Sequence, residues 1–108
     1  MALAACKFPV QSSPRPRSGE MPSEYASRLA AQFSGEMLLE PRRELAQFFT
    51  PLEIARFMAA LARPSRSVRR LLDPGAGTGV LACALCEALP AGSSPVHLDA
   101  FEVDPALG

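Results

Sequence analysis

Seven consecutive residues, Asp73-Pro74-Gly75-Ala76-Gly77-Thr78-Gly79, join one carboxylate to three glycines at alternate positions. With no Cβ, Gly75, Gly77 and Gly79 can take positive φ angles and let the main chain come close to a ligand. The free amides of such a turn, and of a helix starting behind it, attract polar or negative ligand groups. Two common ligands do not fit. A phosphate loop ends in Gly-Lys-Ser/Thr, which the chain lacks, and a dinucleotide fingerprint needs a third glycine where Val80 stands. The Asp73 carboxylate would also repel an entering pyrophosphate and attract a cation. The ammonium and sulfonium groups of S-adenosylmethionine suit it.

A second acidic residue, Glu102, follows Gly79 at roughly the 20-residue interval at which a carboxylate accepts hydrogen bonds from ribose hydroxyls. Nicotinamide enzymes and methyltransferases share that arrangement, so Glu102 points to adenosine without choosing between its carriers. Val103 beside it is placed to pack on an adenine face.

These groups need strands and helices to bring them together. Val68 to Asp73 reads as a short strand, Pro74 to Gly79 as a turn, and Val80 to Leu89 as a helix with Leu81, Ala84, Leu85 and Ala88 on one face. Val96 to Val103 reads as a second strand, with Val96, Leu98, Ala100 and Glu102 on one side. Strand, helix and strand in this order form a βαβ unit, which implies parallel strands and a right-handed crossover. Upstream, Thr50-Pro51-Leu52-Glu53 predicts a capping box. Ile54, Phe57, Met58 and Leu61 then supply a helical stripe expected to face the core, ending near Arg63 before Pro64. An earlier helix is predicted over 23–34, capped by Ser23 and stopped at Gly35. Tyr25, Leu29 and Phe33 lie on one face of it, widened by Ala26 and Ala30. A further short helix is expected over Arg42 to Phe48, and residues 1–22, with four prolines, read as a flexible arm.

The expected organisation is therefore an α/β chain. An arm (1–22) precedes an N-terminal helical segment (23–66), and residues 67–108 open a Rossmann-like sheet that stays incomplete. At 108 residues the chain is short for such a fold, and Asp104 to Gly108 reads as the opening of a helix. The expectation is a piece of a longer protein, interrupted after its second strand. Formal net charge is zero, which gives this segment no long-range pull on nucleic acid or membranes. Arg63, Arg66, Arg69 and Arg70 are expected to be solvated. Three scattered cysteines (Cys6, Cys83, Cys86) fit a reducing cytoplasm. Cys83 and Cys86 form a CxxC, but a zinc site needs two more ligands and His97 is the sole histidine, so packing cysteines and no metal are expected. Leu3-Ala4-Ala5-Cys6 has the letters of a lipoprotein cleavage box without the basic start and apolar stretch a signal requires. No apolar run approaches the roughly 20 residues of a membrane span.

Leu72 to Gly79, taken with Phe101-Glu102-Val103-Asp104-Pro105, resembles motifs I and II of class I S-adenosylmethionine-dependent methyltransferases. Arg43 to Met58, containing Phe48-Phe49-Thr50-Pro51, is similar to the N-terminal motif of adenine-specific DNA methyltransferases of restriction–modification systems, in the order of the gamma type. Ala46 stands where many relatives carry glycine. The resemblance covers Arg42 to Gly108. It implies that Phe49, Thr50 and Pro51 touch the methionine end of the cofactor. Asp73 and the turn Gly75-Ala76-Gly77-Thr78-Gly79 would hold its methionyl part, and Glu102 its ribose. It further implies DNA as the parent's substrate and a cognate restriction endonuclease as a partner. The family's catalytic Asn/Asp-Pro-Pro-Tyr/Phe, which holds a flipped adenine, does not occur in the 108 residues, so no residue here is assigned a catalytic role. The glycine turn equally fits methyltransferases of RNA, protein or small molecules. A nicotinamide-dependent oxidoreductase and a truncated remnant with no stable fold complete the alternatives.

Overall fold

The computed structural model describes residues 14–36 and 49–104. Five elements follow in order: α1 (Pro22–Glu36), α2 (Leu52–Ala62), β1 (Arg70–Asp73), α3 (Val80–Glu87) and β2 (His97–Ala100). The helix expected over Arg42 to Phe48 lies outside the described residues. β1 and β2 pair in parallel, with Arg70 opposite His97 and Asp73 opposite Ala100. The architecture is α/β, compatible with part of a Rossmann-like fold. Both strands are shorter than the sequence predicts, but main-chain bonding continues past β2. Phe101 N donates to Asp73 O (2.8 Å) and Ala76 N donates to Phe101 O (2.9 Å). These two bonds fasten the glycine turn to the end of the neighbouring strand.

The core is built from alanines. Ala26 and Ala30 of α1, Ala55 and Ala59 of α2, and Val80 and Ala84 of α3 form one buried cluster. Small side chains let three helices approach closely, and α3 sits between the other two and β1. Ala82 of α3 is buried as well, while Ala88, expected on the core face, is exposed. On α1 the alanine row is buried, and Tyr25, Leu29 and Phe33 flank it half-buried.

The stripe of α2 corrects the sequence reading. Ile54, Phe57, Met58 and Leu61 are 50%, 61%, 44% and 66% exposed, and the helix turns its alanine face inward instead. The periodicity of the large residues marks a real helix face, but contact with α3 is made by the smaller side chains opposite. Leu72, Leu98, Phe101 and Val103 are exposed too, along and beyond the sheet.

Helix ends also differ from expectation. α2 begins at Leu52 with Pro51 as its cap residue, and Thr50 makes no capping hydrogen bond. Its C-terminus closes on Arg63 in a left-handed conformation (φ 44°), just before Pro64. α1 starts at Pro22, so Ser23 lies inside the first turn, and it runs through Gly35 to Glu36. The amides at its start are met by two carboxylates, one from α3 and one from its own first turn. The Glu87 carboxylate accepts from Ser23 N (2.7 Å) and Ser23 Oγ (2.7 Å), and Glu24 accepts from Met21 N (2.9 Å). Arg56 of α2 reaches the same corner, 3.3 Å from Glu24, so three helices meet at one polar junction. The end of the expected arm joins in. Glu20 accepts from Arg17 N (2.9 Å) and pairs with Arg28 (2.8 Å), which draws residues 17–20 onto α1. The Arg28 guanidinium lowers the Glu20 carboxyl to about 2, with the Arg17 amide adding to the effect.

No helix among the described residues is long and apolar enough to cross a membrane.

Candidate functional site: the glycine turn and its cleft

Strand β1 ends at Asp73 and α3 begins at Val80, so the turn between them occupies the carboxyl end of the sheet, where open α/β sheets place ligands. Gly77 (φ 56°) and Gly79 (φ 90°) both use the positive φ that their residue type permits. At Gly77 the lack of a side chain has a second use. A Cβ there would stand 3.3 Å from Cδ1 and Cε1 of Phe49, so the ring lies close on the turn and would have to give by a few tenths of an ångström to admit a side chain.

Phe49 and Thr50 thus roof a small cleft whose floor is Asp73, Gly75, Ala76, Gly77 and Thr78, with Val80 and Leu81 closing it. Its volume is about 70 Å³. Binding sites for whole small molecules run to roughly 300–1,000 Å³, so the cleft admits one end of a cofactor-sized ligand. A larger hollow of about 420 Å³ lies along Arg70, Leu71, Leu72, Asp99 and Phe101. It is a groove on the open sheet that shares no lining residue with the small cleft, and its charged groups, Arg70 and Asp99, pair with each other. Arg70 bonds Asp99 at 2.7 Å, which holds the Asp99 carboxyl below the usual range.

The electrostatics of the small cleft are one-sided. Among the described residues Asp73 is the charged one in its lining, and no lysine, arginine or histidine stands beside it. Asp73 is 7% exposed. Its Oδ1 receives a long contact from Gly75 N (3.4 Å), and its Oδ2 is buried with no hydrogen-bond partner among the described residues. A buried carboxylate oxygen without a donor is costly, by about 1–3 kcal/mol or more for a charged group. A cationic donor entering the cleft would satisfy it.

Glu102 is linked to this site through the turn. Its Oε2 accepts from Gly77 N at 2.6 Å and its Oε1 from Asp104 N at 2.9 Å. Thr78 turns away from the cleft in its bonding, its hydroxyl donating to Ala26 O of α1 (2.8 Å). Gly79 serves as the cap residue of α3.

Phe49, Thr50, Asp73, Gly75, Ala76, Gly77 and Thr78 therefore come together. Pro51, Gly79, Glu102 and Val103 are not among the lining residues: Pro51 and Gly79 cap α2 and α3, Glu102 bonds the Gly77 amide, and Val103 is 80% exposed beyond β2. Val80 and Leu81 were missed as lining residues. Their signal was positional, since the first helical residues after a glycine turn must border whatever the turn encloses. Cys83 packs against the core and Cys86 is exposed, so only the first behaves as a packing cysteine. Burial raises the Cys83 thiol above its ordinary value, and partial desolvation of the sulfur with the Glu87 charge does the same at Cys86 even though that residue is exposed, which disfavours the reactive thiolate. Among the described residues no group of side chains is placed to hold a metal ion.

Over 75 residues, or 69% of this chain, the sequence is 33% identical to the Type II methyltransferase M.AccI of Acinetobacter calcoaceticus. The chain corresponds to 13% of that protein's length. The similarity supports a relationship to methyltransferases. No family model matches the chain. No solved structure matches it either.

Proposed function

We propose that this chain forms the S-adenosylmethionine-binding front of a site-specific DNA adenine-N6 methyltransferase of gamma type, from a restriction–modification system. The observation that carries the reading is the buried Oδ2 of Asp73, which has no hydrogen-bond partner and no neighbouring cation in the cleft among the described residues. The cofactor's ammonium group supplies the missing donor. Phe49 and Thr50 cover the methionyl end, the turn from Gly75 to Gly79 supplies main-chain contacts, and Glu102 stands at the ribose. Pro51 acts by starting α2 behind Phe49 and Thr50, and Val103 offers an apolar side chain at the strand end.

When bound, S-adenosylmethionine would supply an electrophilic methyl group on its sulfonium for transfer to the adenine amino nitrogen. The residues of this chain bind and orient the donor. The groups that hold the adenine belong to the parent's catalytic tetrapeptide. DNA and a cognate endonuclease are the proposed partners of that parent, and the cytoplasm its proposed location.

Two experiments separate this reading from its alternatives. Calorimetric titration of the chain should give one-to-one binding of S-adenosylmethionine and none of NAD; the reverse would make the site that of an oxidoreductase. The parent protein, incubated with unmethylated DNA and methyl-labelled cofactor, should yield N6-methyladenine by mass spectrometry. Label in RNA, protein or a small molecule instead would move the substrate class.

A further inference from the structure

The strand-end carboxylate already has work to do before any ligand arrives. Both Glu102 oxygens accept main-chain amides, Gly77 N from the turn at 2.6 Å and Asp104 N from the segment after β2 at 2.9 Å. The first bond adds a side-chain tie at Gly77 to the two main-chain bonds, Phe101 N to Asp73 O and Ala76 N to Phe101 O, that already join these segments. Gly77 offers only its backbone, and it sits at φ 56°, under the Phe49 ring. A glycine turn free of restraint samples many conformations, and ordering it at the moment of binding would weaken affinity.

We infer that Glu102 is a positioning residue: a strut that pins the amide of Gly77, and with it the seat of the Phe49 ring, in the ligand-free chain. The inference deepens the proposed cofactor site, since each carboxylate oxygen has two lone pairs and one bond. The strut therefore accepts ribose hydroxyls without releasing the turn. The strand end and the glycine turn form one preset unit.

The test is made without ligand, which keeps it separate from the functional reading. Failure of the chain to bind S-adenosylmethionine would sink that reading and leave the strut standing. In wild-type protein, nuclear magnetic resonance should show a coupling across the hydrogen bond from the Gly77 amide nitrogen to the Glu102 carboxyl carbon. Replacing Glu102 with methionine (Glu102→Met), similar in length but with no acceptor oxygen, should speed hydrogen exchange at the Gly77 amide roughly tenfold or more, as expected for a lost charge-assisted bond. Exchange at His97, whose amide donates to Arg69 O in the sheet, should stay unchanged. Glu102→Gln keeps one acceptor and gains a donor, so it should restore protection at Gly77 or at Asp104 but not at both. Absence of the coupling in wild-type protein would overturn the inference, as would equal Gly77 exchange in wild type and Glu102→Met.

Discussion

The two sides of α2 differ in a way their composition hides. Inward, Ala55 and Ala59 are almost fully buried against α3; outward, Ile54, Phe57, Met58 and Leu61 are largely exposed. Large apolar residues would by themselves bury more area and gain more from burial. Here they are not the ones that pack. What the inner side has is fit: alanine rows on α1 and α2 meet α3 closely, and that approach sets Phe49 over Gly77 and Thr78 against Ala26. The site lies at the end of the tightly packed side. The loosely packed side carries no part of it.

Substitutions on the two sides should expose this difference. The largest effect is expected from Ala55→Leu. Ala55 has no exposed surface, and an overpacked site costs about 1–3 kcal/mol, read as a lower denaturation midpoint with an unchanged slope. Next comes Gly77→Ala. A left-handed conformation costs a residue with a Cβ roughly 1–2 kcal/mol, and the new methyl would press on Phe49 at 3.3 Å. Thermal unfolding should register the first cost, and calorimetry should show weaker cofactor binding as the ring moves.

A smaller effect is expected at the N-terminal edge of α1. Glu20 is held at about 2 by Arg28, below the ordinary carboxylate value of 4.5. A group depressed on folding contributes stability that is complete above the unfolded value and lost as pH falls through the folded one. The turn at residues 17–20 should therefore stay docked at pH 5, loosen between about 4.5 and 2, and be released below that. The chemical shift of Glu20 Cδ followed through an acid titration checks this; a midpoint near 4.5 would mean the Arg28 pair is absent in solution. The smallest effect belongs to the outer face of α2. Phe57→Ser should change stability by no more than about 0.5 kcal/mol, and a loss comparable with that of Ala55→Leu would reverse the comparison.

The same contrast explains what could be read from the sequence. The order of helices, turn and strands was legible because glycines, prolines and alternation are local signals. Asp73 and the glycine turn were legible because their chemistry depends on residue type at short spacing. The buried face of α2 was not. Periodicity tells that a helix has two faces, and bulk favours the larger residues, but the partner helix selects the face that fits. The end of α1 was misread for a related reason. Ser23 has the right chemistry for a cap, yet its amide and hydroxyl are claimed by Glu87, 64 residues away. Thr50 lost its capping role when Pro51 took the cap position. The bond from Glu102 to Gly77 likewise needed the strands to be paired before it could be seen.

Asp73 Oδ2, buried and without a partner among the described residues, is the proposed seat of a cationic ligand, held at a cost to the ligand-free chain. Asp73→Asn tests both halves in one comparison. Calorimetry should show S-adenosylmethionine affinity falling roughly 10- to 100-fold, the expected loss for a hydrogen bond to a charged group. Thermal unfolding of the ligand-free variant should show a midpoint equal to or above that of wild type, because an unpaired buried charge has been removed. A variant that binds the cofactor as tightly as wild type, or that unfolds well below it, would contradict the account.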